Sequence, residues 1–500
     1  MISEEFSTLF VRHWRQNSLN MRQRFEQQTT LGVTPISEVK FPLRSRDELP
    51  PVLKALQYIF VTPELNAKVF SLLENKVCSG KKQTGRTGMD LWHILVLAVV
   101  RHTLDTNWDR LEHIANYDLL IRKILGVNME TFGGLEKEFC YQTIVDNVSL
   151  IDEQLLHDIN SLVTSHGQNL LKKKEDEALQ LKTDSYVLQT NVHFPTDLNL
   201  LWDALRKGLD TVEKLQQQSN LEGWRKLKLI RRNTKSIFRK TSQQVFRGKK
   251  EKQKKSAVRQ YLNEAKKLEQ RFLSVILHPP SGVDMKKVLA LIVELYTYNQ
   301  YVKKLIGLTE RRLLLGETIE AGEKIYSIFE PHTEWIQKGK HFPSVELGHL
   351  LLITTDQHQF IVDYFVMENE KDAAQVEPLM ERLRINFSGR KIYSHSFDKG
   401  FFSFGNYESL QQAQVENIVL PKKGKCNAQE KERETSKTFR ALRHAHSAVE
   451  SNINMLEHHG LNRCADKGLH GYKRYVGLSV LAYNLHIMGN HLIAVERKEE

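Results

Sequence analysis

Three acidic residues stand at positions where acids are usually avoided or where chemistry is usually built. Asp184 interrupts the run Leu-Gln-Leu-Lys-Thr-Asp-Ser-Tyr-Val-Leu-Gln-Thr, residues 179–190, whose composition otherwise favours a strand. Asp is depleted in strands because its short side chain competes for backbone hydrogen bonds. Asp398 stands where a second short strand, residues 391–397, runs into the turn Asp398-Lys399-Gly400. Strand ends of open α/β sheets are where sites are usually assembled. Glu450 lies on a helix whose apolar stripe is Ala445, Val449, Ile453 and Leu456 and whose polar face is Arg443, His446, Glu450, Asn454 and Glu457. Taken singly, these read as a water-facing strand acid, an Asx turn and a solvated helix face. Taken together, three carboxylates from two strands and a helix could converge at one point of a mixed sheet. Such a cluster is costly unless a hard cation neutralises it. Mg²⁺ prefers carboxylate oxygens together with water and phosphate, and two such ions can activate an attacking oxygen and stabilise the leaving one.

The elements that must position these residues follow from pattern. After a loose lead and short helices (residues 1–87, with a break at Pro50-Pro51 and a basic, glycine-containing loop at 79–87), residues 88–165 predict a compact helical unit. Asp90 is placed to cap a helix carrying Ile94, Leu95, Leu97, Ala98 and Arg101. Thr106 is placed to cap the next, with Trp108, Leu111, Ile114 and Ala115 inward. A third carries Leu119, Leu120, Ile124 and Leu125 and stops at Gly126. Such short helices suit either a helix-turn-helix DNA reader or a bundle that only packs. The first strand segment (178–204) ends in a helix starting near Thr196. Long helices then fill 205–327. Strands resume as a hairpin, with Leu350–Thr354 returning at Phe360–Met367 across Asp356-Gln357-His358. Residues 328–495 supply this hairpin, a helix, the short strand, a basic loop at 421–440 and a helical end broken near Gly460–Gly471.

Composition narrows the partner. The chain has 500 residues, 40% of them hydrophobic, and a net charge of +12; its pI is near 9.2. That length suits two or three domains, and the excess charge suits nucleic acid or an acidic membrane surface. Between Arg225 and Lys255, fourteen Lys or Arg residues face Glu251 as the only acid. Phosphate is the natural neutraliser of so one-sided a run. Cys78, Cys140, Cys426 and Cys464 are scattered and form no CxxC pair, which argues against a zinc ribbon or disulfide scaffold and for a reducing compartment. His458, His459, Cys464 and His470 meet no tetrahedral zinc spacing. The acidic start MISEEFSTLF is unlike a targeting segment. The apolar run 476–495 is interrupted by Asn484, His486, Asn490 and His491 and predicts a packed helix rather than a membrane span. No nucleotide-cradling glycine loop is present.

Four segments in this order resemble the insertion-sequence DDE transposases: TDSYVLQTNVHFPTDLNLLWDALR (183–206), IFEPHTEWIQKGK with VELGHLLLITTDQHQFIVDY (within 328–364), SFDKGFFSFGNYESL (396–410) and RHAHSAVESNINMLEHHGLNR (443–463). KGLHGYKRYVGLSVLAYNL (467–485) is similar to the family's C-terminal helix. The resemblance covers residues 180–490 well, apart from the insertion, and 85–165 weakly. It implies an α/β fold: an RNase H-like mixed sheet with flanking helices, a large helical insertion and an N-terminal helical domain. It implies Asp184, Asp398 and Glu450 as catalytic metal ligands for two Mg²⁺ or Mn²⁺ ions. It further implies cutting of element ends, joining of 3′-hydroxyls to target DNA, reading of terminal inverted repeats by residues 88–165, a homodimer in the synaptic complex and a bacterial, nucleoid-associated, cytoplasmic setting. One departure stands out. The family's Tyr-x2-Arg-x3-Glu-x6-Lys pattern falls here on Arg443, His446, Glu450 and Glu457, so an acid replaces the DNA-contacting lysine. Lys399, Arg463 or Lys467 could supply that contact, and Arg231, Arg232, Lys235 and Arg239 of the insertion are candidates for phosphate binding. A nuclease of the same fold without strand transfer, or a silent transposase-derived DNA-binding protein, are the alternatives.

Overall fold

The computed structural model describes residues 24–25, 33–79, 88–127, 137–172, 177–218, 221–280, 285–337 and 344–499, so the basic loop expected at 79–87 lies, apart from Ser79, outside the described residues. The chain divides into two units, residues 1–191 with 348–500, and residues 192–347.

The first unit opens with α1 (Leu49–Val61), α2 (Pro63–Val77), α3 (Leu91–Thr103), α4 (Trp108–Tyr117), α5 (Leu119–Leu125), α6 (Tyr141–Val148) and α7 (Glu153–Leu171). Every residue of α3 is buried, as expected of a helix that is apolar on all sides. Two expected caps are corrected. Asp90 does sit at the start of α3, but its carboxylate is taken by Lys137 Nζ at 2.7 Å and His93 Nδ1 at 2.9 Å instead of the helix N–H groups. Asn107, not Thr106, caps α4 by accepting from the Arg110 N–H at 2.8 Å. Gly126 ends α5 as expected, at φ +67°, a left-handed conformation that glycine adopts without strain.

The strand β1 (Leu179–Thr190) follows. Residues 192–347, described below, contain α8 (Asp197–Gln218), α9 (Leu227–Arg247), α10 (Glu251–Leu277), α11 (Met285–Glu310) and β2 (Glu334–Gln337). The chain then returns through β3 (Val345–Thr355), β4 (Ile361–Val366), α12 (Val376–Asn386), β5 (Ile392–Phe397), α13 (Phe404–Gln412) and β6 (Asn417–Val419). The end is α14 (Ala428–Thr435), α15 (Lys437–His446), α16 (Ala448–Leu456), β7 (Arg463–Cys464) and α17 (Gly468–Glu499). The stretch 421–440, expected as a loop, is partly helical because Asn427 and Glu430 form a reciprocal capping box at the start of α14.

Within the first unit the strands run β4-β3-β1-β5-β6, with β3 antiparallel to both β1 and β4, and β5 and β6 parallel to β1. Three antiparallel strands, extended by two parallel strands through helical crossovers, are the mixed sheet of the RNase H-like fold. β1 shows the period of two that such a buried sheet demands. Leu179 and Leu181 enter the core shared with α1–α7, while Tyr186 and Leu188 enter the core shared with α16 and α17. The helices of residues 91–171 therefore pack into the same unit as the sheet.

α17 is long and apolar enough to cross a membrane by length and composition, yet 61% of its apolar window is buried inside the structure. It packs against α1, α3, α7 and β4. A buried ion network anchors it. Asp466 receives Arg101 of α3 at 2.7 Å and Arg474 of α17 at 3.2 Å, and Arg101 stacks 3.7 Å from the Trp108 ring centroid. Removing the single carboxylate would leave two guanidiniums without it. We expect Asp466→Ala to lower unfolding free energy by about 3–5 kcal/mol in urea titrations. A loss below about 1 kcal/mol would mean that water compensates the arginines.

The second unit has its own core, where Leu201, Leu205 and Leu209 of α8 meet Leu262, Leu268 and Phe272 of α10 and Leu295 and Val302 of α11. Two aromatic residues at the basic stretch are used internally, Trp224 stacking on Phe272 at 5.8 Å and Phe238 on Trp202 at 5.6 Å, whereas Phe246 is exposed.

Candidate active site

After a register shift between Leu179 and Gln180, parallel strands β1 and β5 stay in register from the pair Gln180–Ser394 to Thr183–Phe397. Asp184 is the next residue of β1, and Asp398 is the first residue past the end of β5, so the register brings the two acids side by side where β5 stops. Asp184 lies on the face of β1 that bears Tyr186 and Leu188, where Val449 and Leu456 of α16 pack. Glu450 rides on α16, which lies against β1. The sheet thus presents two aspartates, and the helix covering that face presents the glutamate. The register itself is held from the opposite face. Thr183 Oγ1 meets Thr354 Oγ1 at 2.7 Å and His395 Nε2 at 2.8 Å, joining β3, β1 and β5 through buried polar groups. His395 is pushed down to about 3 by burial, then by His446, and is neutral.

Asp184 is half-buried, whereas Asp398 and Glu450 are exposed. The Asp184 carboxyl is pushed up to about 6, first by burial and then by the charges of Asp398, Asp372 and Glu450; the Ser185 N–H, donating at 2.7 Å, works against the rise. The expected carboxylates are therefore within electrostatic reach of one another. Among the described residues, however, no three His, Cys, Asp or Glu side chains are already closed around one point as a metal cage. Neither is the set His458, His459, Cys464 and His470 such a cage. Two large cavities in this unit, one of about 970 Å³ lined by His157, Asp363 and Arg382 and one of about 1090 Å³ lined by Glu377, Arg384 and Arg390, do not include the three carboxylates. The carboxylates sit instead where β5 ends beside β1, with Asp398 and Glu450 exposed.

Residues 318–485 match the transposase DDE domain family. The match supports a DDE transposase of insertion-sequence type. No curated protein and no solved structure matches the chain. The matched segment contains Asp398 and Glu450; Asp184 precedes it and is brought beside Asp398 through the β1–β5 register. DDE transposases generally use divalent metal ions, and the family implies DNA binding.

Two side chains near the carboxylates were not singled out by the sequence as site residues. Asp372, on the short turn after β4, accepts a hydrogen bond from Ser185 Oγ at 2.7 Å. It lay hidden among the alternating acids Glu368, Glu370 and Asp372. His446, one turn before Glu450, places Nδ1 2.9 Å from Ser396 Oγ, while its buried Nε2 has no partner among the described residues. Burial lowers its pKa, and Asp398 and Glu450 oppose the fall.

The basic candidates separate. Lys399 adjoins Asp398 and is exposed. Arg463 and Lys467 are exposed too, but Arg463 sits on β7 opposite Gln189, roughly 16–17 Å along β1 from Asp184 at strand rise. In the second unit Arg232, Lys235 and Arg239 are exposed on α9. Arg231 differs, because its guanidinium bonds Asp210 and Glu213, each at 2.8 Å, and so braces α9 against α8.

Proposed function

We propose that this transposase cuts the ends of its element and joins the freed 3′-hydroxyls to target DNA, with Asp184, Asp398 and Glu450 as the reacting centre. The observation that carries the reading is the placing of Asp184 and Asp398 directly after the last β1–β5 pair, with Asp184 pushed up to about 6 by burial and by the charges of Asp398, Asp372 and Glu450. Clustered like charges with only oxygen donors fit Mg²⁺ or Mn²⁺. Asp184, Asp398 and Glu450 would hold two such ions, which supply an activated oxygen nucleophile and charge neutralisation at the leaving oxygen.

The chain's own groups do the rest. Asp184 meets the charge of both other acids and is the natural shared ligand. Lys399 stands beside Asp398 to meet a phosphate. Arg232, Lys235 and Arg239 hold DNA backbone without reading bases: Trp224 and Phe238 are packed away, and one exposed aromatic, Phe246, offers no series of stacking platforms. Residues 88–165 would read the terminal inverted repeats, 205–327 would form the basic insertion, and a homodimer would pair the two ends.

The test is a cleavage assay on duplexes carrying the element's own ends. Asp398→Asn and Glu450→Gln should each abolish metal-dependent nicking while leaving end binding near wild type. Supplying pre-cut ends then separates the alternatives: joining to target DNA supports a transposase, cutting without joining a plain nuclease, and binding alone a silent descendant. Retained nicking in either variant would remove that residue from the reacting centre.

A further inference from the structure

The turn holding Asp372 and the turn following Asp398 are clamped together. Asn406 Nδ2 donates to Ala373 O and to Phe401 O, each at 2.7 Å. Gly400 approaches Asp372 so closely that a Cβ there would lie 2.8 Å from Asp372 Oδ2. On its other side the Asp372 carboxylate takes the Ser185 hydroxyl at 2.7 Å, directly after Asp184. β5 has by then parted from β1, the last pair between the two being Thr183–Phe397. Asp372 thus fills the notch left where the two strands diverge. One oxygen holds the strand of Asp184, and the other abuts the turn of Asp398. Asp372 lies inside the segment that matches the DDE domain.

We propose that Asp372 is a positioning residue for the metal-binding carboxylates, a fourth acid that sets the spacing of Asp184 and Asp398 and adds negative charge beside them. The inference rests on the function proposed above. Ser185 O–H donates to the Asp372 carboxylate and so ties the strand of Asp184 to the turn of Asp398. Gly400 is glycine because a side chain there would displace that carboxylate. Outer carboxylates of this kind commonly change metal affinity about 10–100-fold when replaced.

The experiment is a Mn²⁺ titration of the full chain, read both as metal-induced thermal stabilisation and as cleavage of an end-containing duplex. Asp372→Asn keeps an acceptor for Ser185 but removes the charge. It should raise the half-saturating Mn²⁺ concentration about tenfold or more in both readouts, with little change in melting temperature without metal. Gly400→Ala should shift metal dependence in the same direction, and Asp372→Glu should restore part of the affinity. Unchanged Mn²⁺ dependence in both Asp372→Asn and Asp372→Ala, with wild type responding normally, would overturn this proposal and leave the proposed function standing. A lower melting temperature with unshifted Mn²⁺ dependence would likewise reduce Asp372 to a folding role. A wild-type chain that neither binds Mn²⁺ nor cuts would overturn both.

Discussion

Asp184→Asn is expected to abolish DNA cleavage and, without divalent ions, to make the protein more stable at neutral pH. The loss of cleavage follows from removing the carboxylate that meets the charge of both other acids. The gain in stability follows from its titration. The folded carboxyl is raised to about 6, against about 3.9 for an unperturbed Asp. Its contribution is most favourable below about pH 4, where both states are protonated, and is lost as pH rises through about 6. Above that pH the ionised group should cost roughly 1–3 kcal/mol, since a tenfold change in a protonation equilibrium is worth about 1.4 kcal/mol. Asparagine cannot ionise and escapes this cost. Urea denaturation in chelator should therefore show the variant ahead of wild type by roughly that amount at pH 7.5 and level with it near pH 3.5. Added Mg²⁺ should stabilise wild type and not the variant. Equal stability at both pH values would sink the electrostatic account, and retained cleavage would sink the assignment of Asp184.

The second large effect concerns DNA binding by α9. Replacing Arg232, Lys235 and Arg239 together with Ala should flatten the slope of log affinity against log salt by about 2–3, at roughly 0.9 per phosphate contact. Affinity should fall by a similar factor for element ends and for random DNA, because flexible cations neutralise phosphate without reading sequence. Arg231→Ala should behave differently. Its guanidinium is held by Asp210 and Glu213, so the salt slope should stay near wild type while the melting temperature falls. Fluorescence anisotropy across a salt series decides between these outcomes. An unchanged slope in the triple variant would mean that these side chains are merely solvated, and a loss confined to element ends would mean that α9 reads bases.

Local pattern in the sequence determined much of this protein. The bounds of β1, the hairpin of β3 and β4, the short β5 ending at Asp398 and the stop at Gly126 are set by residue type and period within a few positions. Those signals need no distant partner. The three acids are a different case: each taken singly has a plain local reading, and only their grouping and the resemblance to a family point to a common centre. Tertiary structure decided what depends on residues far apart in sequence. Asp90 lost its capping role because Lys137, 47 residues away, claims its carboxylate. Arg231 reads in the chain as one cation of a basic run, yet the fold brings Asp210 and Glu213 to it. Asp466 joins Arg101 across 365 residues. Asp372 looks like one acid among several until β5 diverges from β1 and opens the notch that it fills. Spacing along a chain carries period and propensity; register between strands, and the charge a side chain meets across them, exist only once distant segments have packed.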